Sequence, residues 1–293
     1  MNQQRRALLA VIVTGIGGTA ALWLLGCAMG PAVPPEGPLI PANLVWQDLS
    51  ALSREPLPFQ PGEKLKYAFG WNGVRCADLT LNVSEEQVEG KRMIVLNYEG
   101  GTRSVIALVW SCEVRGKTWL EPATLLTVRA ERTSDVNKKK KRSTMTYDHS
   151  RGLATTVVEK LYKNKESTKQ VQFYRHGLDL TSALMVGRLI ELPEGKKVAL
   201  EVVHGDKDYA LEITGGPVET VEVEAGTFKA QALDLRVCAL TGDKQKRSDE
   251  ETKYRSVRVW IAKEGRLPIK LESDVFVGQV YVELVSVKRH PPN

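Results

Sequence analysis

From Gly62 onward the chain alternates. Leu65, Tyr67, Phe69 and Trp71 are apolar at every second position, the period of a half-buried strand. Asn72-Gly73 then fits a type I′ hairpin turn, which needs positive φ at both central residues. Ala77, Leu79, Leu81 and Val83 return on one face, and Cys76 falls on the other with Asp78, Thr80 and Asn82. The same pattern predicts strands at Met93–Tyr98, Thr124–Arg132, Ser143–Asp148, Leu153–Lys160 and Lys169–Phe173. Val105–Val114 is apolar on both faces and reads as a central strand. One helix interrupts the series. Asp179 or Thr181 caps it, Leu184, Met185, Arg188, Leu189 and Ile190 lie along it, and Pro193-Glu194-Gly195 ends it. Strands resume at Val198–His204, Tyr209–Thr214, Val218–Val223, Thr227–Cys238, Tyr254–Ala262, Leu267–Glu272 and Val275–Val287. The apolar phase slips between Ala232 and Leu233, which marks a bulge. About a dozen strands at short, regular spacing predict a mainly β fold. The expectation is one large curved antiparallel sheet, a sandwich or open barrel, with one short helix.

The first 61 residues follow another rule. Arg5-Arg6 precedes an uncharged apolar run that closes on Leu24-Leu25-Gly26-Cys27. A basic head, an apolar stretch and a small residue before cysteine is the order of an export signal ending in a lipobox. The reading is a signal peptide over 1–26, cleaved after Leu24, Leu25 and Gly26, with an acyl chain such as palmitate placed on Cys27. Ala28, rather than Asp, follows the cysteine, which resembles the outer-membrane default of Gram-negative lipoproteins. The alternative is an uncleaved N-terminal helix in the inner membrane. Either way the body faces the periplasm. Residues 27–61 form a linker stiffened by Pro31, Pro34, Pro35, Pro38 and Pro41, with a short helix over Asn43–Ser53. Residues 62–289 are read as a single β domain.

Charge changes this picture little. Lys+Arg number 41 against 35 Asp+Glu, a net of +6, which falls to +4 once Arg5 and Arg6 leave with the signal. The compartment, more than the charge, argues against nucleic acid as a partner. Lys138-Lys139-Lys140-Lys141-Arg142 is the densest basic run. It is either a solvated hairpin tip that repels other strands or a grip on anionic head groups. Cys76, Cys112 and Cys238 read as small buried residues; if any pair joined, Cys76 and Cys112 would be the pair.

Candidate chemistry is sparse. His204-Gly205-Asp206-Lys207-Asp208 offers an imidazole and carboxylates but reads as a turn. His176 and Asp179 lack an orienting third group, and Asp179 is explained as a helix cap. Glu222 and Glu224 alternate on a solvent face. Tyr147-Asp148-His149-Ser150 has no nucleophile-elbow glycines. No phosphate loop, paired Cys-x-x-Cys or His-Glu-x-x-His occurs. No metal, cofactor or catalytic residue is therefore expected.

Pro61-Gly62-Glu63-Lys64-Leu65-Lys66-Tyr67, Trp71-Asn72-Gly73-Val74, Asp179-Leu180-Thr181-Ser182-Ala183-Leu184 with Arg188, Glu224-Ala225-Gly226-Thr227-Phe228 and Gly265-Arg266-Leu267-Pro268-Ile269-Lys270-Leu271 resemble the bacterial envelope family called domain of unknown function 3108. The resemblance runs from about Phe59 to Val287 and implies an exported, mostly β protein with no established enzymatic residues. The expected role is that of a lipid-anchored, non-catalytic envelope protein. It would hold an apolar ligand, a lipid or an envelope partner in a concavity lined by Tyr67, Trp71, Trp110 and Trp260. The competing expectations are an envelope hydrolase acting on glycan or ester, and a structural partner of another envelope protein.

Overall fold

The computed structural model describes residues 44–53, 56–108, 110–240, 256–275 and 278–289. The signal peptide, Cys27, the proline-rich stretch and Asn43 lie outside the described residues, as does Tyr254. One antiparallel sheet of 14 strands accounts for almost everything else. Its strands are β1 (Lys64–Trp71), β2 (Val74–Val88), β3 (Lys91–Thr102), β4 (Cys112–Leu120), β5 (Thr127–Val136), β6 (Lys139–Asp148), β7 (Leu153–Lys160) and β8 (Lys165–Gln172). They continue as β9 (Lys197–His204), β10 (Lys207–Val223), β11 (Gly226–Ala239), β12 (Ser256–Ala262), β13 (Pro268–Val275) and β14 (Gly278–Lys288). Neighbours in sequence are neighbours in the sheet, and β1 pairs with β14, so β8 and β9 are the two edges. The sheet curls until those edges approach. Thr156 on β7 donates to Gly205 O in the β9–β10 turn at 2.7 Å, and Lys169 on β8 pairs with Asp206. The result is a nearly closed barrel.

A circle of this many strands leaves an interior too wide for its own side chains to fill. Two α-helices among the described residues, with several loops, complete it. α1 (Ser104–Ala107) caps one end. α2 (Leu180–Gly187) enters from the other. Asp179 caps α2 by accepting from Ser182 N at 2.9 Å and Thr181 N at 3.3 Å. Thr118 on β4 donates to the same carboxylate at 2.9 Å. The main core joins Leu65, Leu81, Ile94 and Leu120 of one half to Leu200, Ile213, Leu233 and Leu284 of the other, through Met185, Val186 and Ile190.

Several expectations change. Asn43–Ser53 forms no helix where it is described. Trp46 makes a parallel bridge to Ala199 on β9, and its neighbours donate and accept there. An apolar spacing that suits a helix also suits a strip laid along a sheet edge. Val105–Val114 is not one strand. The chain leaves the sheet after Thr102, turns through α1 and rejoins at Cys112, because its apolar residues close the end of the barrel around Trp110. Tyr209–Thr214 and Val218–Val223 are one strand, β10. The bulge lies on that strand, where Gly216-Pro217 face the single residue Ala232, and proline costs no ladder bond at a bulge. Cys76 is itself a bulge residue, skipped between Phe69↔Ala77 and Gly70↔Arg75. Its side chain therefore turns inward with Phe69 and Ala77. Cys76 and Cys112 share that cluster and are not joined by a disulfide. β3 separates their strands, so they lie two strand spacings apart, about 9–10 Å, beyond the roughly 7 Å a disulfide spans.

Candidate functional site

Cross-strand registry builds an apolar floor. Val259, Leu271, Val282, Phe69 and Ala77 sit opposite one another across β12, β13, β14, β1 and β2. Tyr67 and Leu79 form the next row, and Leu184 of α2 lies above. Together they enclose a cavity of about 60 Å³. Polar groups at its margin are already engaged. Tyr67 donates to Pro268 O at 2.9 Å, and burial pushes its phenol well above the ordinary range. Lys270 lays its stem against the cavity, while its ammonium pairs with Glu272 at 2.9 Å and Glu283 at 3.3 Å and lies 5.7 Å from the Trp260 ring centre.

The floor of the barrel is held by a buried ion pair. Arg188, fully buried, follows the last residue of α2. It donates to both Glu63 oxygens, at 2.5 and 3.1 Å. Its remaining donors reach Arg266 O at 2.7 Å, Pro58 O at 2.8 Å and Gly265 O at 3.4 Å. Arg289 adds a second cation to Glu63 at 3.2 Å. Arg266 returns the contact, donating to Arg188 O at 2.6 Å and to Ile190 O at 2.5 Å. The start of β1, the end of α2 and the β12–β13 turn are thereby fixed together.

A second buried carboxylate organises the segment between β8 and α2. Glu201 accepts four backbone N–H bonds, from Tyr174 at 2.7 Å, Arg175 at 2.6 Å, His176 at 2.8 Å and Gly177 at 3.3 Å. Asp208 lies beside it. Burial, then the charge of Glu201 and a hydrogen bond to it, push the Asp208 carboxyl up to about 10. Asp208 is therefore the protonated partner that donates to Glu201.

Among solved structures, the β-barrel-like protein of the DUF1849 family from Brucella abortus superposes with a TM-score of 0.54 at 13% identity, covering 80% of this chain and 99% of that one. An exported protein with a YmcC-like fold from Bacteroides fragilis gives 0.36 at 10% identity, covering 80% and 98%. The profile of the family described as protein of unknown function DUF3108 matches residues 66–285. The chain belongs to the DUF3108 family. A search of curated proteins returns no match. The DUF3108 motifs now have a place. Glu63, Arg188 and the pair Gly265-Arg266 come from three motif segments and meet in the buried ion-pair cluster.

Within this DUF3108 barrel the sequence candidates scatter. Tyr67 lines the apolar cavity. Trp260 is buried beneath Lys270 and donates from Nε1 to Glu219. Trp110 and Trp71 pack in or against the cluster at the α1 end. The basic run is not one surface. Lys138 occupies the turn with φ of 64°, and Lys139 to Arg142 begin β6. Alternation sends Lys141 to the inner face, while Arg142 points out toward Glu159. Ser150 donates to Asp148 at 2.6 Å, closing a turn. Glu224 pairs with Arg75 at 3.0 Å on the outside. His176 accepts from Glu201 N at 3.3 Å, and burial pushes its imidazole down. Glu201 was not singled out from sequence, Asp208 was read only as part of a hairpin turn, and Leu184, Leu271 and Val282 were not read as lining a cavity. Their signal is registry between distant strands, which local periodicity does not carry.

Proposed function

We propose that this protein is a lipid-tethered, non-catalytic component of the bacterial envelope that takes an apolar group into the cavity beneath α2. The observation that carries the reading is the cavity itself: Tyr67, Phe69, Leu79, Leu184, Leu271 and Val282 line it, and its margin offers no unengaged charge. A water needs roughly 10–15 Å³ of such space, so 60 Å³ suits a few carbons, not a whole lipid. At about 0.8 kcal/mol per buried methylene, four carbons contribute about 3 kcal/mol. That suits transient capture of one chain end or one apolar side chain. The lipobox at Cys27 and the prolines after it support a tether that holds the barrel off the membrane on the periplasmic side, with Ala28 favouring the outer membrane. Asp179 caps α2, Asp148 closes a turn, and Asp206 and Glu224 are held in ion pairs, which supports a binding role over hydrolysis.

The test uses the full-length protein purified in mild detergent. Native mass spectrometry should find an apolar small molecule that co-purifies. A saturated fatty acid should displace a bound apolar dye, and Leu184→Glu should weaken that binding about tenfold or more without unfolding the barrel. Cys27→Ser should release the protein from the membrane fraction. A protein that binds neither dye nor fatty acid sinks the ligand reading.

A further inference from the structure

Hairpins in an antiparallel sheet turn at alternate ends, so the connections after β1, β3, β5 and β7 share one end of the barrel. Apolar side chains stand out of that end. Leu108, just past α1, is 87% exposed, the most of any large hydrophobic residue among those described. Val74 at the β1–β2 turn, and Leu161 and Tyr162 between β7 and β8, are exposed with it. The connections after β2, β4 and β6, at the other end, expose no large hydrophobic residue among those described. Apolar tips gathered at one end and rimmed by polar groups mark a contact surface.

Lysines surround these tips. Lys138 lies in the β5–β6 turn, and Lys139 begins β6. Asn137 in that turn donates to Ser111 O at 2.9 Å and accepts from Ser111 N at 3.0 Å, which ties the turn to the loop that carries Leu108. Lys141 stands opposite Lys160 across β6 and β7, so the connection after β7 lies beside the start of β6. That connection holds Lys163, whose ammonium lies 5.6 Å from the Tyr162 ring centre, and Lys165 begins β8. Lys138, Lys139, Lys163 and Lys165 are exposed, and among the described residues they make no ion pair. The acids sit further in or are paired. Glu113 and Asp135 face each other one row in from the rim, with Lys140 across from Asp135. Glu166 lies opposite Glu159, which pairs with Arg142. Asp78 pairs with Arg75 and Arg103, and Asp206 pairs with Lys169. The rim itself is therefore cationic.

Lysines beside leucine and tyrosine suit the boundary of an anionic bilayer. Ammonium groups meet the head-group phosphates while apolar tips and a phenol ring reach the acyl boundary. We infer that this end of the barrel docks on a bilayer containing anionic phospholipid, with Leu108, Leu161 and Tyr162 in the interface and Lys138, Lys139, Lys163 and Lys165 against the head groups. The inference rests on the tether reading, which puts a bilayer within reach, and not on the apolar cavity. Cys27 precedes Leu44 by 17 positions, a span of at most about 60 Å. Trp46 joins β9 at Ala199, near the start of that strand, so the tether meets the barrel toward the opposite end. β6, with 10 residues, is about 34 Å long. The tether can thus run the length of the wall, and the barrel stands on this end with its body clear of the bilayer.

The test uses the full-length protein reconstituted into phosphatidylcholine vesicles, with or without phosphatidylglycerol at one part in three. Cys76, Cys112 and Cys238 are buried, so a nitroxide label goes to an introduced thiol. At Leu108→Cys, collisions of the label with oxygen should gain severalfold on collisions with a water-soluble nickel chelate when phosphatidylglycerol is present. That change marks entry into the interface. A label at Gln87→Cys, far down β2, should stay in water. Lys138→Glu, Lys139→Glu and Lys163→Glu together should return the Leu108 label to water, since each lysine near an anionic surface strengthens attachment about fivefold. All three are exposed, so the melting temperature should hold. Leu108→Asp, with the label moved to Leu161→Cys, should make that label shallower while every lysine remains. Four results overturn the proposal. The Leu108 label stays in water in both vesicles, the Gln87 label enters the bilayer in its place, or entry is equally deep whatever the lipid charge and the lysines. The fourth is dipolar broadening between Leu108 labels of two copies without entry, which would give this end to self-association. Cys27→Ser tests the tether and Leu184→Glu the apolar cavity. Leu184→Glu should dock as the unaltered protein does, so failure of one reading is told from failure of another.

Discussion

Arg188 carries a full positive charge out of reach of water. Such a charge persists only when its donors are met and its counter-ion is close. Glu63 supplies the counter-ion, and the carbonyls of Arg266, Pro58 and Gly265 take the remaining donors. Removing one partner leaves the other charged and buried. Glu63→Gln or Arg188→Met should therefore cost about 3–5 kcal/mol, read as a lower denaturant midpoint. The double variant should recover part of that loss, giving a coupling above about 1 kcal/mol. Full recovery is not expected, because Arg289 loses its partner and the carbonyls lose their donor. If the two losses simply add, the pair is not the unit described. Glu63, Arg188, Gly265 and Arg266 were visible in the sequence as parts of motifs; Pro58 and Arg289 were not, and neither was the meeting. Glu63 opens a strand and Arg188 ends a helix 125 positions later, and no local period links them.

Most strands were legible because one face of each is buried. Leu153–Lys160 is β7 as the alternation delimits it. The pattern misleads where an element buries both faces or only one edge, as at Val105–Val114 and Asn43–Ser53, since a two-sided apolar run does not distinguish a strand from a cap. It also misleads at bulges, which shift the face of one residue, as at Cys76. The segment from Tyr174 to Gly177 shows how a non-repetitive element is held instead. Its amides converge on Glu201, and protonated Asp208 shares that site. The Asp208 carboxyl titrates near its ordinary 3.8 in the unfolded chain but at about 10 in the folded one. Between those values the native state holds the extra proton. Stability from this group is therefore full below about pH 4 and falls as pH rises toward 10, by at most about 1.4 kcal/mol per pH unit. His176 acts in the opposite sense below 6.5, so the window to use is pH 7 to 9. Asp208→Asn keeps a donor toward Glu201 with no proton to lose. Its unfolding midpoint should decline less across that window than the midpoint of the unaltered protein. Parallel curves would mean that Asp208 is ionised in the fold.

Closure is the property that neither residues nor single strands possess. β1 and β14 join the two halves of the described sheet by a full ladder. The β8/β9 edges are joined differently, by the Thr156–Gly205 bond, the Lys169–Asp206 pair and the Leu178–Val202 bridge. The core beneath this seam is small: Met145, Tyr147, Ala154, Val171, Phe173 and Val203. The main cluster, by contrast, draws on both halves of the barrel. Local opening follows the poorest burial and the fewest backbone bonds. Amide exchange should therefore be fastest in β7, β8 and the β9–β10 turn, and slowest in β1, β2 and β14. Thr156→Val removes the hydroxyl that reaches Gly205 without changing the shape of the side chain. It should speed exchange on both sides of the seam and leave β1 and β14 untouched, a pattern readable by hydrogen–deuterium mass spectrometry. A uniform acceleration over all strands would show instead that the barrel opens as one unit. The apolar cavity lies under the closed side, so a fatty acid should slow exchange at β13 and β14 and leave the seam as it was.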